Sequence, residues 1–99
     1  MGWELHITRK EWWADPKGPQ ISFDEWQAYL VTDPEVKKGP NNSKDDFLII
    51  QNEGEWPLWY NPRLGELHTK NPSKNIINKL KEIATRLDAR VLDDNDTVH

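Results

Sequence analysis

The sequence predicts an α+β fold: a largely antiparallel sheet of about five strands with two helices, in the order β-α-β-β-β-α-β, both helices on one face. Three observations carry this prediction. Residues 3–9, WELHITR, alternate apolar and polar side chains without a break, the period of a strand with one buried face. Residues 76–87 repeat apolar side chains at helical spacing. Between the two helical segments, the apolar runs 47–51 and 55–60 are separated only by turn formers, the pattern of an antiparallel meander.

In the first strand Trp3, Leu5 and Ile7 point one way, and Glu4, His6 and Thr8 the other. Residues 11–20, EWWADPKGPQ, hold Asp-Pro and Gly-Pro breakers and read as a loop. Ser22 and Glu25 have capping-box spacing, and Ile21 and Trp26 occupy the two staple positions of a first helix. Its core face is Phe23, Trp26, Tyr29 and Leu30, and Asp33-Pro34 ends it, because a residue before proline avoids the α region. Residues 34–45 are turn formers and charge and read as a mobile surface loop. FLIIQ, 47–51, is apolar on both sides of the pleat and suits a strand covered on both faces. Asn52-Glu53-Gly54 is a turn, 55–60 a strand, 61–65 a further turn, and Glu66 to Thr69 a short strand. Asn71 is a good N-cap with Pro72 at the first position of a second helix. That helix carries the stripe Ile76, Ile77, Leu80, Ile83, Ala84 and Leu87, with Lys74, Lys79, Lys81, Glu82 and Arg86 on the opposite side. It stops near Asp88; 89–93 is a last strand, and the acidic tail 94–99 is expected to fray.

At 99 residues the chain is one small domain, 1–99. A chain of this size buries roughly two-thirds of its unfolded surface. Only 35% of residues are hydrophobic, so six tryptophans must supply much of the core. The net charge of −4 argues against general affinity for nucleic acid or anionic membranes and favours a basic partner. There is no cysteine and hence no disulfide framework. The opening residues lack the basic and apolar regions of a secretion signal, and His6 breaks the myristoylation pattern. No apolar run reaches membrane-spanning length, and the expected location is the cytoplasm. Two glycosylation sequons, at Asn41 and Asn95, carry no weight, since the pattern is common by chance.

Two features bear on chemistry. Glu-Leu-His occurs twice, at 4–6 and 66–68, on two different strands. If those strands are neighbours, Glu4, His6, Glu66 and His68 share one sheet face, as a set of zinc ligands or a proton shuttle. Alternating polar residues on a solvated sheet face account for the same pattern. No nucleophile motif, phosphate-binding glycine loop or His-Glu-x-x-His supports an enzyme, and no cofactor is expected. The second feature is EWPLWYNP, 55–62. The strand period sets Trp56, Leu58 and Tyr60 on one face and Pro57 and Trp59 on the other. Pro57 lacks a ladder donor and marks an edge or a bulge. A Trp59 left uncovered among acids suits a recognition surface; alternatively it packs under the loop holding Trp12 and Trp13. A carbohydrate or peptide module using Trp56 or Trp59 is a further reading. Asp45, Asp46, Glu53, Glu55, Glu66, Asp93, Asp94 and Asp96 flank strand ends and the tail, where acids solvate a surface or steer a basic protein.

Two segments carry a resemblance. One is LHITR, a tryptophan pair, then ISFDEWQAYLVTDPE; the other is NPSKNIINKLKEIATRLDARVLDDND. Their arrangement resembles small acidic bacterial immunity proteins of polymorphic toxin systems, including contact-dependent growth inhibition. The similarity is one of size, acidity and organisation over most of the chain. It implies a cytoplasmic, non-enzymatic toxin inhibitor that acts by protein–protein interaction with one cognate toxin domain, for example a basic nuclease. No functional residue carries over by motif. The partner-binding residues expected from the surface reading are Trp59 and Glu55, with Glu66, His68, Asp93 and Asp94 as polar contacts.

Overall fold

A computed structural model describes residues 3–39, 45–52 and 54–99. The elements are β1 (Glu4–Thr8), α1 (Phe23–Thr32), β2 (Val36–Lys38), β3 (Asp46–Gln51), β4 (Gly54–Asn61), β5 (Glu66–Lys70), α2 (Lys74–Arg86) and β6 (Arg90–Asp93). The strands form one antiparallel sheet in the order β2-β3-β4-β5-β1-β6. The fold is α+β, as the patterning predicts.

β5 and β6 both pair antiparallel with β1, so they run parallel to each other and need a crossover, which α2 supplies. The same alternation makes β1 and β2 parallel, with α1 between them in sequence. The apolar sides of both helices join Leu5, Ile7, Phe47, Ile49, Leu58, Tyr60, Leu67 and Val91 in one core, so both cover the same sheet face. Trp26 anchors it, stacked on Tyr29 and edge-on to Phe47 at ring separations of 5.6 and 5.4 Å. The capping box of α1 is present: Ser22 Oγ accepts from Glu25 N, and the Glu25 carboxylate accepts from Ser22 N.

Arg9, just past β1, ties the layers together. Its five N–H donors meet the Glu25 carboxylate twice, the Leu87 carbonyl twice and the Gln20 carbonyl once. This joins the start of α1 and the end of α2 to the sheet. The 61–65 turn needs its glycine. Gly65 sits at φ 64°, and an added Cβ would lie 2.3 Å from the Gln20 side chain.

The structure corrects several expectations. The sixth strand, β2, falls inside the segment read as a mobile loop. Val36 buries its side chain, and the lysines that follow form an edge that resists further pairing. Residues 40–44 of that segment lie outside the described residues, as do the Asn41 sequon and Glu53 of the expected turn. The N-cap of α2 is Ser73, whose hydroxyl accepts from Ile76 N, and not Asn71. Asn71 instead exchanges two hydrogen bonds with the Trp3 backbone at φ 46°. Lys79, read as solvated, is buried: its ammonium meets Asp33, Glu35 and Glu82 at 2.8, 2.7 and 2.8 Å. The Tyr29 hydroxyl donates to the same Asp33. Burial is the largest single influence and would raise the Asp33 carboxyl, but the bonds from Lys79, Tyr29 and Glu35 N, with the Lys79 charge, together hold the group below its ordinary value.

The tail, expected to fray, lies against the sheet. The Asp93 carboxylate accepts from Asn95 N, Thr97 N and the His99 ring, Val98 bridges Leu92, and His99 N reaches the Val91 carbonyl. These bonds fold 94–99 back along β6 and cover that sheet edge. Finally, β4 is interior rather than an edge. Pro57 lies where the β4–β5 ladder has ended, and its carbonyl accepts from the Thr69 hydroxyl.

Candidate functional site

The helix-free face of the sheet holds the candidate residues except Asp93 and Trp56, which packs against the helix-side core, and it divides into two halves. Over β1 and β6 it is covered. The Trp13 ring lies flat on His6, with ring centroids 4.0 Å apart and planes 6° from parallel, and Trp13 N donates to Asp96 Oδ1 at 3.1 Å. Lys10 is buried beneath the same loop with its ammonium on the Asp15 carbonyl. Leu92 is buried on this side and does not belong to the helix-side core.

Over β3 and β4 the face has no helix on it among the described residues. Leu48, Ile50, Pro57 and Trp59 are each only half-buried, and Leu48 and Pro57 are direct cross-strand partners. FLIIQ therefore has one covered face, not two: Phe47 and Ile49 enter the core, while Leu48 and Ile50 form part of an open apolar strip. Trp59 and His68 are cross-strand partners with rings 5.5 Å apart and 27° from parallel. They sit in an open cleft of about 330 Å³ with Asp45, Asn61, Pro62 and Lys70. Glu55 stands exposed at the far end of the strip.

The two Glu-Leu-His segments are neighbours, with His6 directly opposite His68. They do not act alike. His6 is 2% exposed and held from both sides of its ring: Nδ1 lies 2.6 Å from Glu66 Oε2, and Nε2 lies 3.3 Å from Asp94 Oδ1. Asp94 Oδ2 also accepts from Glu4 N at 3.2 Å. Burial pulls His6 towards the neutral form, but the Glu66 bond and charge, with the Asp94 bond, raise it above its ordinary value overall. His68, half-buried, is held below its ordinary value chiefly by burial.

Of the expected partner contacts, Trp59 and His68 come together, Glu55 shares their strip, and Asp94 joins them from the adjoining half. Glu66 does not present itself to a partner: it is 1% exposed with one oxygen on His6. Asp93 faces away, its carboxylate occupied by the tail turn. The expected ligand set Glu4, His6, Glu66 and His68 is also rearranged. Among the described residues, Glu4, His6 and Asp94 bring ligand atoms within 4.8 Å of one another, Glu66 stands behind the His6 ring, and His68 turns to Trp59. Sequence reasoning missed Leu48 and Ile50, which it placed in the core. The signal lay in the helix count: two helices on one face leave nothing to cover the second side of an apolar run.

In comparisons with known proteins, no family model matches the chain, and no curated protein or solved structure is similar to it.

Proposed function

We propose that this chain is an immunity protein: a non-enzymatic, cytoplasmic inhibitor that binds one toxin domain and neutralises it through the helix-free face. The observation that carries the reading is the strip Leu48, Ile50, Pro57 and Trp59, apolar and only partly buried where no helix covers it. Uncovered apolar surface rimmed by polar groups marks interaction sites, and tryptophan is the commonest anchor within them. Acidic groups lie along the same face: Glu55 at the end of the strip, with Glu4 and Asp94 on the neighbouring half. With a net charge of −4, this favours a basic partner, as an active-site cleft that handles nucleic acid would be. Trp59 and Leu48 are the anchors in this reading, and His68, Glu55 and Asp94 the polar contacts. Glu66 contributes from beneath by fixing His6. No helix among the described residues is long and apolar enough to cross a membrane.

A growth assay tests the reading. The protein encoded beside this chain is expressed in a sensitive host, alone and together with this chain. The proposal expects growth arrest by the neighbour, rescue by this chain, and loss of rescue with Leu48→Asp plus Trp59→Ala in a variant that keeps its circular dichroism spectrum. A neighbour without toxicity, or rescue indifferent to both substitutions, contradicts it.

A further inference from the structure

We infer that Glu4, His6 and Asp94 form a binding site for a single divalent transition-metal ion of the zinc class, with Glu66 as the residue that orients the histidine. The inference is independent of the toxin-binding proposal and rests on the His6 ring. Its Nδ1 is committed: Glu66 Oε2 lies 2.6 Å away, and a buried carboxylate at that distance accepts a hydrogen bond from Nδ1–H. Nε2 is then the nitrogen left to act as a ligand. Histidines that bind metal characteristically donate their other ring proton to a carboxylate, which fixes the tautomer and raises the basicity of the ligating nitrogen. The Trp13 ring, stacked flat at 4.0 Å, prevents the imidazole from turning.

What Nε2 faces is the second part of the argument. Asp94 Oδ1 lies 3.3 Å away. Carboxylates flank both ring nitrogens, so the Nε2–Asp94 contact needs a cation: a second ring proton in the metal-free protein, which a metal ion displaces on binding. That distance is long for a charge-assisted hydrogen bond, which runs about 2.7–2.9 Å. It equals the nitrogen–oxygen edge of a tetrahedron whose metal bonds are about 2.0–2.1 Å, an edge of roughly 3.3 Å. Glu4 supplies the third ligand from the same strand as His6, two residues earlier on the same face. Asp94 is about half exposed, so the ion has a path from solvent, and three protein ligands leave a fourth position for water. One nitrogen with two carboxylate oxygens suits zinc better than calcium or magnesium, which take all-oxygen shells.

The test is titration of the full-length, chelator-treated protein with ZnCl₂ by calorimetry, and with CoCl₂ by visible absorption. The expected result is one equivalent bound at micromolar metal or tighter, with cobalt absorption of the intensity of a tetrahedral site. Asp94→Asn, at a half-exposed position and in a variant that keeps its circular dichroism spectrum, should weaken zinc at least about tenfold, as should Glu4→Gln; His6→Gln should abolish binding. His99→Ala, which removes the other histidine beside a carboxylate, should leave it unchanged. If His6→Gln does not fold, Asp94→Asn and Glu4→Gln decide. Absence of stoichiometric binding at 100-fold excess metal, binding unaltered in Asp94→Asn, or binding lost in His99→Ala overturns the inference.

Discussion

Replacing Lys79 by Met asks whether the buried charge cluster between α1, β2 and α2 is a structural element. The Lys79 ammonium directs its three donors at three carboxylates, but these differ in environment. Glu35 and Glu82 are about half exposed, so each rehydrates when the cation goes and its loss costs only about 0.2–1 kcal/mol. Asp33 is buried and cannot rehydrate. Breaking one side of a buried pair costs about 3–5 kcal/mol. Asp33 keeps two donors, the Tyr29 hydroxyl and Glu35 N, which place the loss at the lower end, about 3 kcal/mol. Met fills the volume of the lysine stem, so little cavity cost is added. A domain of this size is stable by about 5–15 kcal/mol, so urea unfolding resolves such a change easily. The pH dependence supplies a sign. In the native chain Asp33 sits below its ordinary value, burial being outweighed by the bonds from Lys79, Tyr29 and Glu35 N together with the Lys79 charge, so its contribution is present above the unfolded value near 4 and is lost as pH falls from there through the lower folded value. In the variant the two Lys79 contributions are gone while burial remains, so Asp33 shifts upward from its native value and its protonation costs less. The gap between the two proteins should therefore narrow from pH 7 to pH 4, and Asp33→Asn in the Lys79→Met background should recover about 2 kcal/mol at pH 7. A Lys79→Met variant within 1 kcal/mol of the native chain at every pH would refute the account of this cluster.

Further outcomes follow from the same contacts. Arg9→Lys keeps the charge but not the five-donor fork, and should lower the melting temperature by several degrees in a thermal scan. Glu25, held down to about 2 chiefly by its Arg9 bond, contributes above its unfolded value near 4.3 and loses that contribution as pH falls towards 2; Arg9→Gln should move the acid-unfolding midpoint upward. Trp26→Ala removes a fully buried ring from the centre of the core and should cost about 3–5 kcal/mol in urea. Gly65→Ala forces a side chain into a left-handed turn against Gln20 and should cost more than about 1 kcal/mol by the same assay.

Much of the fold is legible in the sequence where a periodicity spans several residues. The strand at 3–9, the capping box at Ser22 and Glu25, and the stripe of α2 all stand in the structure, although β1 is buried on both faces and not on one, since His6 and Thr8 are covered as well. What escaped is short or held by tertiary contacts. Val36–Lys38 is too brief to show a strand period. Asn71 and Ser73 both suit an N-cap, and the choice between them is made by the bonds of Asn71 to Trp3, across 68 residues of sequence. The tail reads as solvated charge because its order comes from one carboxylate accepting nearby backbone N–H groups, not from burial. Lys79 is hidden for a related reason: a lysine beside an apolar stripe looks solvated until the acids of another element close over it. At the site, the strand period correctly divides Trp56, Leu58 and Tyr60 from Trp59, and the paired Glu-Leu-His segments suggest a shared face. The strand order, which places His6 against His68, is not written locally. Neither is the arrival of Trp13 and Asp94 on the two sides of the His6 ring.

The proposal that function resides on the helix-free face is tested most directly by calorimetric titration of the proposed partner, the protein encoded beside this chain, into three proteins: the native chain, Trp59→Ala and Val31→Ala. Val31 is 89% exposed on α1, on the opposite side of the molecule, and serves as the control surface. The account predicts tight one-to-one binding by the native chain and Val31→Ala alike, and a loss of about 30-fold or more for Trp59→Ala, the size of a hot-spot contact of at least about 2 kcal/mol. Equal affinity for the native chain and Trp59→Ala, with a loss in Val31→Ala, would place the partner on the helices and contradict it.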